Sequence, residues 1–419
     1  MVAATSSRLE NWKRFFFVLL CILLVLFVYG SDHTVTKLQG EGNRPFGVFS
    51  FPEGGFVVQD FSYNLLYFKG IGEQIAPRPY RLQDQEKIVR HMVPGSTSGL
   101  SHAYSPVAFV LAQPLLWVSG HAAYLIYIIL SAAGILLLFY FDLLPRTENT
   151  LQLCALGGCV LSVWLLGAFE VGQSTLITTS FLGAFWALLR HRPASPYLGR
   201  DVLLAILFWA LCLKPSVAFI PFLLLLGGRA WRALAIGLAF LLLTWSLTAK
   251  YYGGWWTGLE DYQSLMNHYN NQELTTFMQR GPAVVDGKES HGFHLTAVQW
   301  FQLNRDLFLM VSFTLVLLRW LRRITFSEQF QGVAWSFLLL CPYLLPTENW
   351  VLCLLIVEGS FFHSRKPIVD GLKLLLVMGI MDLRAGLTFP TQVAWHLKCI
   401  LFVWIMIELI RSRKNSKNR

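Results

Sequence analysis

Apolar blocks of up to about 25 residues recur along the whole chain, close to the length that crosses a hydrocarbon layer as helix. They run 15–29, 122–141, 151–168, 203–213, 216–226, 233–247, 307–318, 333–345, 350–362, 372–381 and 393–410. In lipid a single segment satisfies its own backbone polar groups only as a helix. The pattern therefore predicts an all-α, polytopic integral membrane protein with about 10–12 transmembrane helices. Composition points the same way. Of 419 residues, 55% are hydrophobic and 14% are charged, whereas a soluble domain carries about 25% charged residues.

Charge then orients the chain. The net charge is +10. Its basic residues gather at helix ends: Arg8, Lys13 and Arg14; Arg190 and Arg192; Arg229 and Arg232; Arg319, Arg322 and Arg323; Arg365 and Lys366; and the run from Arg411 to Arg419. Short basic loops face the cytoplasm, which places both termini inside. Charges spread over separate helix ends do not form one nucleic-acid-binding face, so no nucleic acid partner is expected. The first apolar block follows basic residues but lacks a small-residue cleavage pattern, and it reads as an uncleaved anchor. The cysteines (Cys21, Cys154, Cys159, Cys212, Cys341, Cys353 and Cys399) lie in or beside apolar blocks without a CxxC pair. They read as small buried residues rather than disulfides or ligands.

This orientation collects the polar stretches on the outside. They are residues 31–105, the turn around Glu170 and Gln173, the segment Leu213-Lys214-Pro215-Ser216, residues 250–305, and the turn 346–349. Pro215 breaks the helix there, because it withholds a hydrogen bond and clashes with the preceding turn. Residues 104–119 do not fit the parity of the count. Either they form a re-entrant or surface helix, or 203–226 is one long span. The chain is expected to be one membrane domain over 1–419, with 31–105 and 250–305 as its two large outside loops.

Each candidate has a functional and a plain reading. Asp60 lies among several loop carboxylates, where solvation or a helix cap would explain it as well as catalysis. Lys214, at the outer end of two short helices, is placed to meet a phosphate as a point charge or to snorkel to the interface. Tyr104 and His102 precede an apolar segment and suit phosphate binding; a solvated loop histidine is the alternative for His102. Gln173 and Glu170 sit where a sugar hydroxyl would be read, or where a helix end needs a hydrogen bond. Trp255 and Trp256 belong to an aromatic-rich stretch with Tyr251, Tyr252, Tyr262 and Tyr269. That stretch is an interfacial belt or an acceptor cleft in which a tryptophan stacks on a sugar. The spacing Glu289-x-His291-x-x-His294, with Asp286 nearby, lacks a defined fourth ligand and lies in a glycine-containing loop. No metal and no cofactor are expected.

The order of several motifs resembles glycosyltransferase family 87, the polyprenyl-phosphate-mannose-dependent α-mannosyltransferases of the GT-C superfamily. The motifs are Asp60 followed by Phe61 and Tyr63, then Tyr104-Ser105-Pro106 with Pro114, Gly172-Gln173, Leu213-Lys214-Pro215, and a proline turn before Trp350. The resemblance covers roughly residues 15–360. It implies a GT-C fold whose first outside loop carries amphipathic helices and a catalytic carboxylate, a lipid-phosphate sugar donor, and inversion at the anomeric carbon. Asp60 would then be the general base for an acceptor hydroxyl, and Lys214, Tyr104 and His102 would hold the donor phosphate. The sugar would be mannose, or another hexose or pentose, and the acceptor a lipid or a glycan. Many members carry a histidine pair at the later outside turn, whereas this chain has Pro346-Thr347-Glu348-Asn349-Trp350. Glu348 or Asn349 would supply the missing polar group. A bacterial inner membrane, with the site facing the periplasm, is the expected location. A transporter or flippase for a lipid or solute is the alternative class.

Overall fold

A computed structural model describes residues 9–26, 48–50, 56–58, 60–92, 104–161, 175–191, 197–279, 297–340, 351–358 and 404. Among the described residues the regular elements are helices, apart from a short antiparallel hairpin that pairs Val48–Ser50 with Phe56–Val58. In chain order the helices are α1 (9–26), α2 (Asp60–Gly72), α3 (Leu82–Met92), α4 (Pro106–Ala112), α5 (Gly120–Leu138), α6 (Thr150–Leu161) and α7 (Thr175–Arg190). Then follow α8 (Leu198–Leu211), α9 (Pro215–Gly227), α10 (Trp231–Thr248), α11 (Trp255–Gln279), α12 (Ala297–Trp320), α13 (Phe326–Leu340) and α14 (Val351–Glu358).

Local chemistry explains the boundaries. Ser119 caps α5 by accepting the Ala122 N–H at 3.3 Å, which satisfies one of the free donors of a first turn. Pro106 and Pro215 each occupy the first turn of α4 and α9, where the missing N–H costs nothing and φ is already helical. After Leu138 the α5 helix widens into a π turn over Phe139–Leu143 and ends with Leu144–Arg146. Pro145 lacks the N–H that would close onto Phe141, so the regular ladder cannot continue there.

Side-chain contacts at helix ends fix the direction of each helix. The last residues of α5 and α7 meet, since Arg190 Nη2 donates to Asp142 Oδ1 at 3.0 Å. Helix α8 starts at that same end, with Arg200 Nε donating to the Leu188 carbonyl at 3.0 Å. The end of α12 lies beside the end of α9, where Trp320 Nε1 donates to the Leu226 carbonyl at 2.9 Å. This arginine end therefore gathers Arg146, Arg190, Arg229, Arg232, Arg319, Arg322 and Arg323. The opposite, loop end holds α2, α3, α4, the α8–α9 junction and the start of α11.

These directions resolve the segment that upset the parity. Ser105, at the start of α4, donates from Oγ to the Cys212 carbonyl at 2.6 Å, which puts it at the loop end. Helix α5 also starts at the loop end and finishes at the arginine end, a rise of roughly 40 Å at ~1.5 Å per residue. Helix α4 and the 3₁₀ turn Gln113–Trp117 thus stay at the loop end without crossing the bundle. The stretch 203–226 is broken, as Pro215 suggested: α8 stops at Leu211, and Lys214 stands in extended backbone (φ −122, ψ 94) before α9.

The core is aromatic and aliphatic. Trp186 of α7 stacks on Phe330 of α13 with ring centroids 4.0 Å apart, and both residues are fully buried. Helices α5 and α7 cross closely because residue 183 is glycine; a Cβ there would overlap the Leu138 side chain. The outer faces are apolar as well. Ile126, Ile129, Leu130 and Leu137 of α5, Leu238, Leu242, Leu243 and Leu247 of α10, and Met310, Phe313 and Leu317 of α12 are exposed. Contiguous exposed apolar surface on this scale marks an apolar partner or solvent. Two helices, Ala122–Arg146 and Trp231–Tyr252, are long and apolar enough to cross a membrane by length and composition.

At the arginine end a buried charge cluster ties four helices together. Arg146 binds both Asp142 and Glu358, and Arg190 binds the same two carboxylates, at 3.0 Å and 3.3 Å. Trp186 Nε1 and Ser327 Oγ also donate to Glu358, at 3.1 Å and 2.9 Å. Each charge is balanced and each carboxylate accepts several hydrogen bonds, the condition under which burying ions is tolerated. Glu358→Ala would leave two guanidinium groups sharing Asp142 alone. It should cost about 3–5 kcal/mol, read as a lowered unfolding midpoint in detergent; an unchanged midpoint would show that the cluster contributes nothing to stability.

Candidate functional site

The loop end is assembled around a tyrosine cluster. Tyr80, in the turn between α2 and α3, stacks on Tyr252 at 4.6 Å and lies 4.9 Å from Tyr262 of α11. Burial, helped by Tyr252 and Tyr262, pushes the Tyr80 phenol well above its ordinary pKa. It stays protonated and donates to the Tyr104 carbonyl at 3.1 Å. Tyr262 is likewise raised, first by burial and then by Cys212. Its hydroxyl is shielded from solvent and has no hydrogen-bond partner among the described residues.

A forked ion pair closes over this cluster. Arg78 donates from Nε to Asp261 Oδ2 at 2.6 Å and from Nη2 to Oδ1 at 2.7 Å. Arg81 adds a longer contact to Oδ1 at 3.4 Å. Two parallel bonds between planar groups fix orientation as well as distance, so α11 is held against the α2–α3 turn. Asp84 secures the turn by accepting the Arg78 N–H at 3.1 Å. The close approach also needs Gly253, whose φ is +79 and whose missing Cβ would stand 3.0 Å from the Pro77 carbonyl. Positive φ is readily available to glycine.

Of the residues singled out from the sequence, Asp60 opens α2 at this end. Its neighbour Phe61 is buried against Tyr124 and Tyr127 of α5, with ring centroids at 5.5 Å and 4.7 Å. Lys214 precedes α9 and is 9% exposed, two residues beyond the carbonyl that accepts Ser105. Tyr104 is partly buried and joined to Tyr80. Asp60, Tyr104 and Lys214 therefore share the loop end.

The two tryptophans divide. Trp255 is engaged in packing: its carbonyl accepts Trp245 Nε1 at 3.2 Å and its Nε1 donates to Ser246 at 3.3 Å. Trp256 is 71% exposed and leaves a ring face available for stacking. His102, Glu170, Gln173, Glu348 and Asn349, as well as Asp286, Glu289, His291 and His294, lie outside the described residues. Among the described residues no group of three or more potential metal ligands converges.

Sequence reading did not single out Arg78, Arg81, Asp261 or Tyr80. Arg78 and Asp261 are 183 positions apart, and neither carries a local motif. The aromatic richness around Tyr252 and Tyr262 was the visible signal; what hid their role was that they pack inward on Tyr80.

If the fork holds α11 in place, Asp261→Ala should speed amide exchange in both residues 78–92 and 255–267. A double-mutant cycle with Arg78→Ala should give a coupling of about 1–3 kcal/mol. Strictly additive single variants would remove the latch. No protein-family model, curated protein or solved structure matches the chain.

Proposed function

We propose that this chain is a polytopic membrane glycosyltransferase using a polyprenyl-phosphate sugar donor at the loop end of the bundle. The observation that supports the proposal is that the start of α2 at Asp60, Tyr104 and Lys214 lie at one end of the bundle, opposite the arginine clusters. Support for a membrane comes from the exposed apolar faces of α5, α10 and α12, together with the arginine clusters in the short turns at the other end, where short cytoplasmic loops carry basic residues. The loop end would then face the periplasm of a bacterial inner membrane.

In the proposed reaction the acceptor hydroxyl oxygen attacks the anomeric carbon of the sugar. The bond from that carbon to the phosphate oxygen breaks, and the phosphate leaves with the electron pair. The configuration inverts. Asp60 takes the acceptor proton, a role worth roughly 10²–10⁴ in rate for a positioned general base. The Lys214 ammonium offsets the charge that develops on the leaving phosphate. Phosphate is a competent leaving group, so no acid partner is needed. The exposed Trp256 offers a stacking face for a sugar ring of the donor or the acceptor. The sugar is proposed as mannose, or another hexose or pentose, and the acceptor as a lipid-linked or glycan hydroxyl.

One observation favours a second reading. Helices broken near a charged residue, as at the α8–α9 junction beside Lys214, also build the binding sites of transporters. Gradient-driven uptake of a lipid or solute into vesicles, without sugar transfer, would favour that class.

Two outcomes are expected for the enzyme. Asp60→Asn should insert and fold normally yet lose transfer by roughly 10²-fold or more, assayed with a polyprenyl-phosphate sugar and cell lipid extract. Full activity in that variant would eliminate Asp60 as the base. Lys214→Ala should raise the KM for the donor while leaving the acceptor KM unchanged; an unaltered donor KM would count against the phosphate contact.

A further inference from the structure

At the arginine end, two neighbouring turns carry a second charged site that the transfer chemistry does not use. The α9–α10 turn supplies Arg229, and the α12–α13 turn supplies Arg319, Arg322 and Arg323. The turns are fastened together. Arg229 Nη2 donates to the Trp320 carbonyl at 3.3 Å, and the rings of Trp231 and Trp320 lie 6.0 Å apart.

Both turns end their helices in the same way. Arg229 has φ +52 and Arg322 has φ +55, the left-handed position just past a helix where glycine is the usual residue. The Ala230 N–H returns to the Leu225 carbonyl at 2.9 Å, and the Arg323 N–H to the Leu318 carbonyl at 2.8 Å. A long side chain in this conformation is unfavourable without a compensating use. Two arginines adopt it side by side.

None of these four arginines forms an ion pair among the described residues. Arg229, Arg322 and Arg323 are exposed. Arg319 is partly buried, with its guanidinium 5.9 Å from the Phe326 ring centroid and Nη1 donating to the Ile324 carbonyl at 3.3 Å. Its Nε is shielded from solvent and has no hydrogen-bond partner among the described residues. The nearby carboxylate of Glu328 is occupied in capping α13, accepting the Thr325 N–H at 2.6 Å. Arg232, on the same helix as Trp231, is held by Asp201 at 3.7 Å and stands apart from this group.

Apolar side chains frame the cations. Trp231, 49% exposed, lies two residues past Arg229 with its ring against Trp320, and Leu321, 59% exposed, is next in sequence to Arg322. A site for a free, hydrated phosphate has no need of such a frame. An anion that carries an acyl chain does. We infer that the α9–α10 and α12–α13 turns bind the phosphate of an anionic phospholipid headgroup, with Trp231 and Leu321 against its glycerol and acyl region. The inference rests on the membrane reading above but is independent of sugar transfer.

The test uses the full chain in dodecyl maltoside, titrated with phosphatidylglycerol, phosphatidylcholine or inorganic phosphate while the unfolding midpoint is followed. Phosphatidylglycerol should raise the midpoint saturably; the other two should not. Arg322→Asn with Arg323→Gln keeps a residue that tolerates positive φ and removes two exposed charges. It should weaken half-saturation by roughly 10- to 30-fold. Arg319→Lys retains charge but lacks Nε, and should weaken it by a smaller factor. Equal half-saturation in wild type and both variants would overturn the site. A matching rise with inorganic phosphate that competes with the lipid would overturn the lipid assignment. Alkaline carbonate extraction of cell membranes decides the membrane reading separately, since a chain released by carbonate is not integral whatever its response to lipid.

Discussion

The buried cluster of Asp142, Arg146, Arg190 and Glu358 is the interaction on which the arrangement of the bundle depends. Removing four charges from water is costly, and only mutual pairing with further hydrogen bonds makes it tolerable. That requirement forces the ends of α5, α7 and α14 together, and Ser327 brings the start of α13 to the same point. Dispersion between apolar helices is weakly directional and would permit sliding. Paired charges do not. Once these helices share an end, the directions of α8, α9, α10 and α12 follow from their short connections and the hydrogen bonds at their ends.

Fixing one end defines the other. The opposite end receives the described parts of the two long polar stretches, and their contacts have a different character. Tyr80, Tyr252 and Tyr262 supply buried ring area with polar tips, and the Arg78–Asp261 fork holds them in register. The packing leaves helix breaks at this end, including Lys214 between α8 and α9 and the start of α2 at Asp60. A rigid scaffold with irregular backbone at one rim is where a reacting lipid phosphate and an acceptor would be expected to meet.

Much of this was legible in the chain. Where the structure describes them, the apolar blocks are helical, Pro215 foretold the break before α9, and the arginines at the ends of α7, α9 and α12 share one end. The site was legible only in outline. Asp60, Tyr104 and Lys214 were picked out by their place between blocks, but Asp261 looked like any loop carboxylate. Its partner lies in another loop, and no local periodicity reports a contact at that separation. Trp255 and Trp256 were indistinguishable in sequence. Their difference arises because the Trp245 and Ser246 side chains engage one of them and leave the other exposed.

The sequence by itself determined that the chain is helical and where its helices break, because segment hydrophobicity and proline act over a few neighbouring residues. It left two alternatives for 104–119. Only tertiary structure decided between them: the Ser105 contact with the Cys212 carbonyl keeps α4 at the loop end, while the Asp142–Arg190 pair carries the far end of α5 to the other. Both are long-range contacts between residues of ordinary type. Their partners are set by how the helices stack, and that arrangement minimises the cost of buried charge and unpaired polar groups over the whole bundle rather than over any one segment.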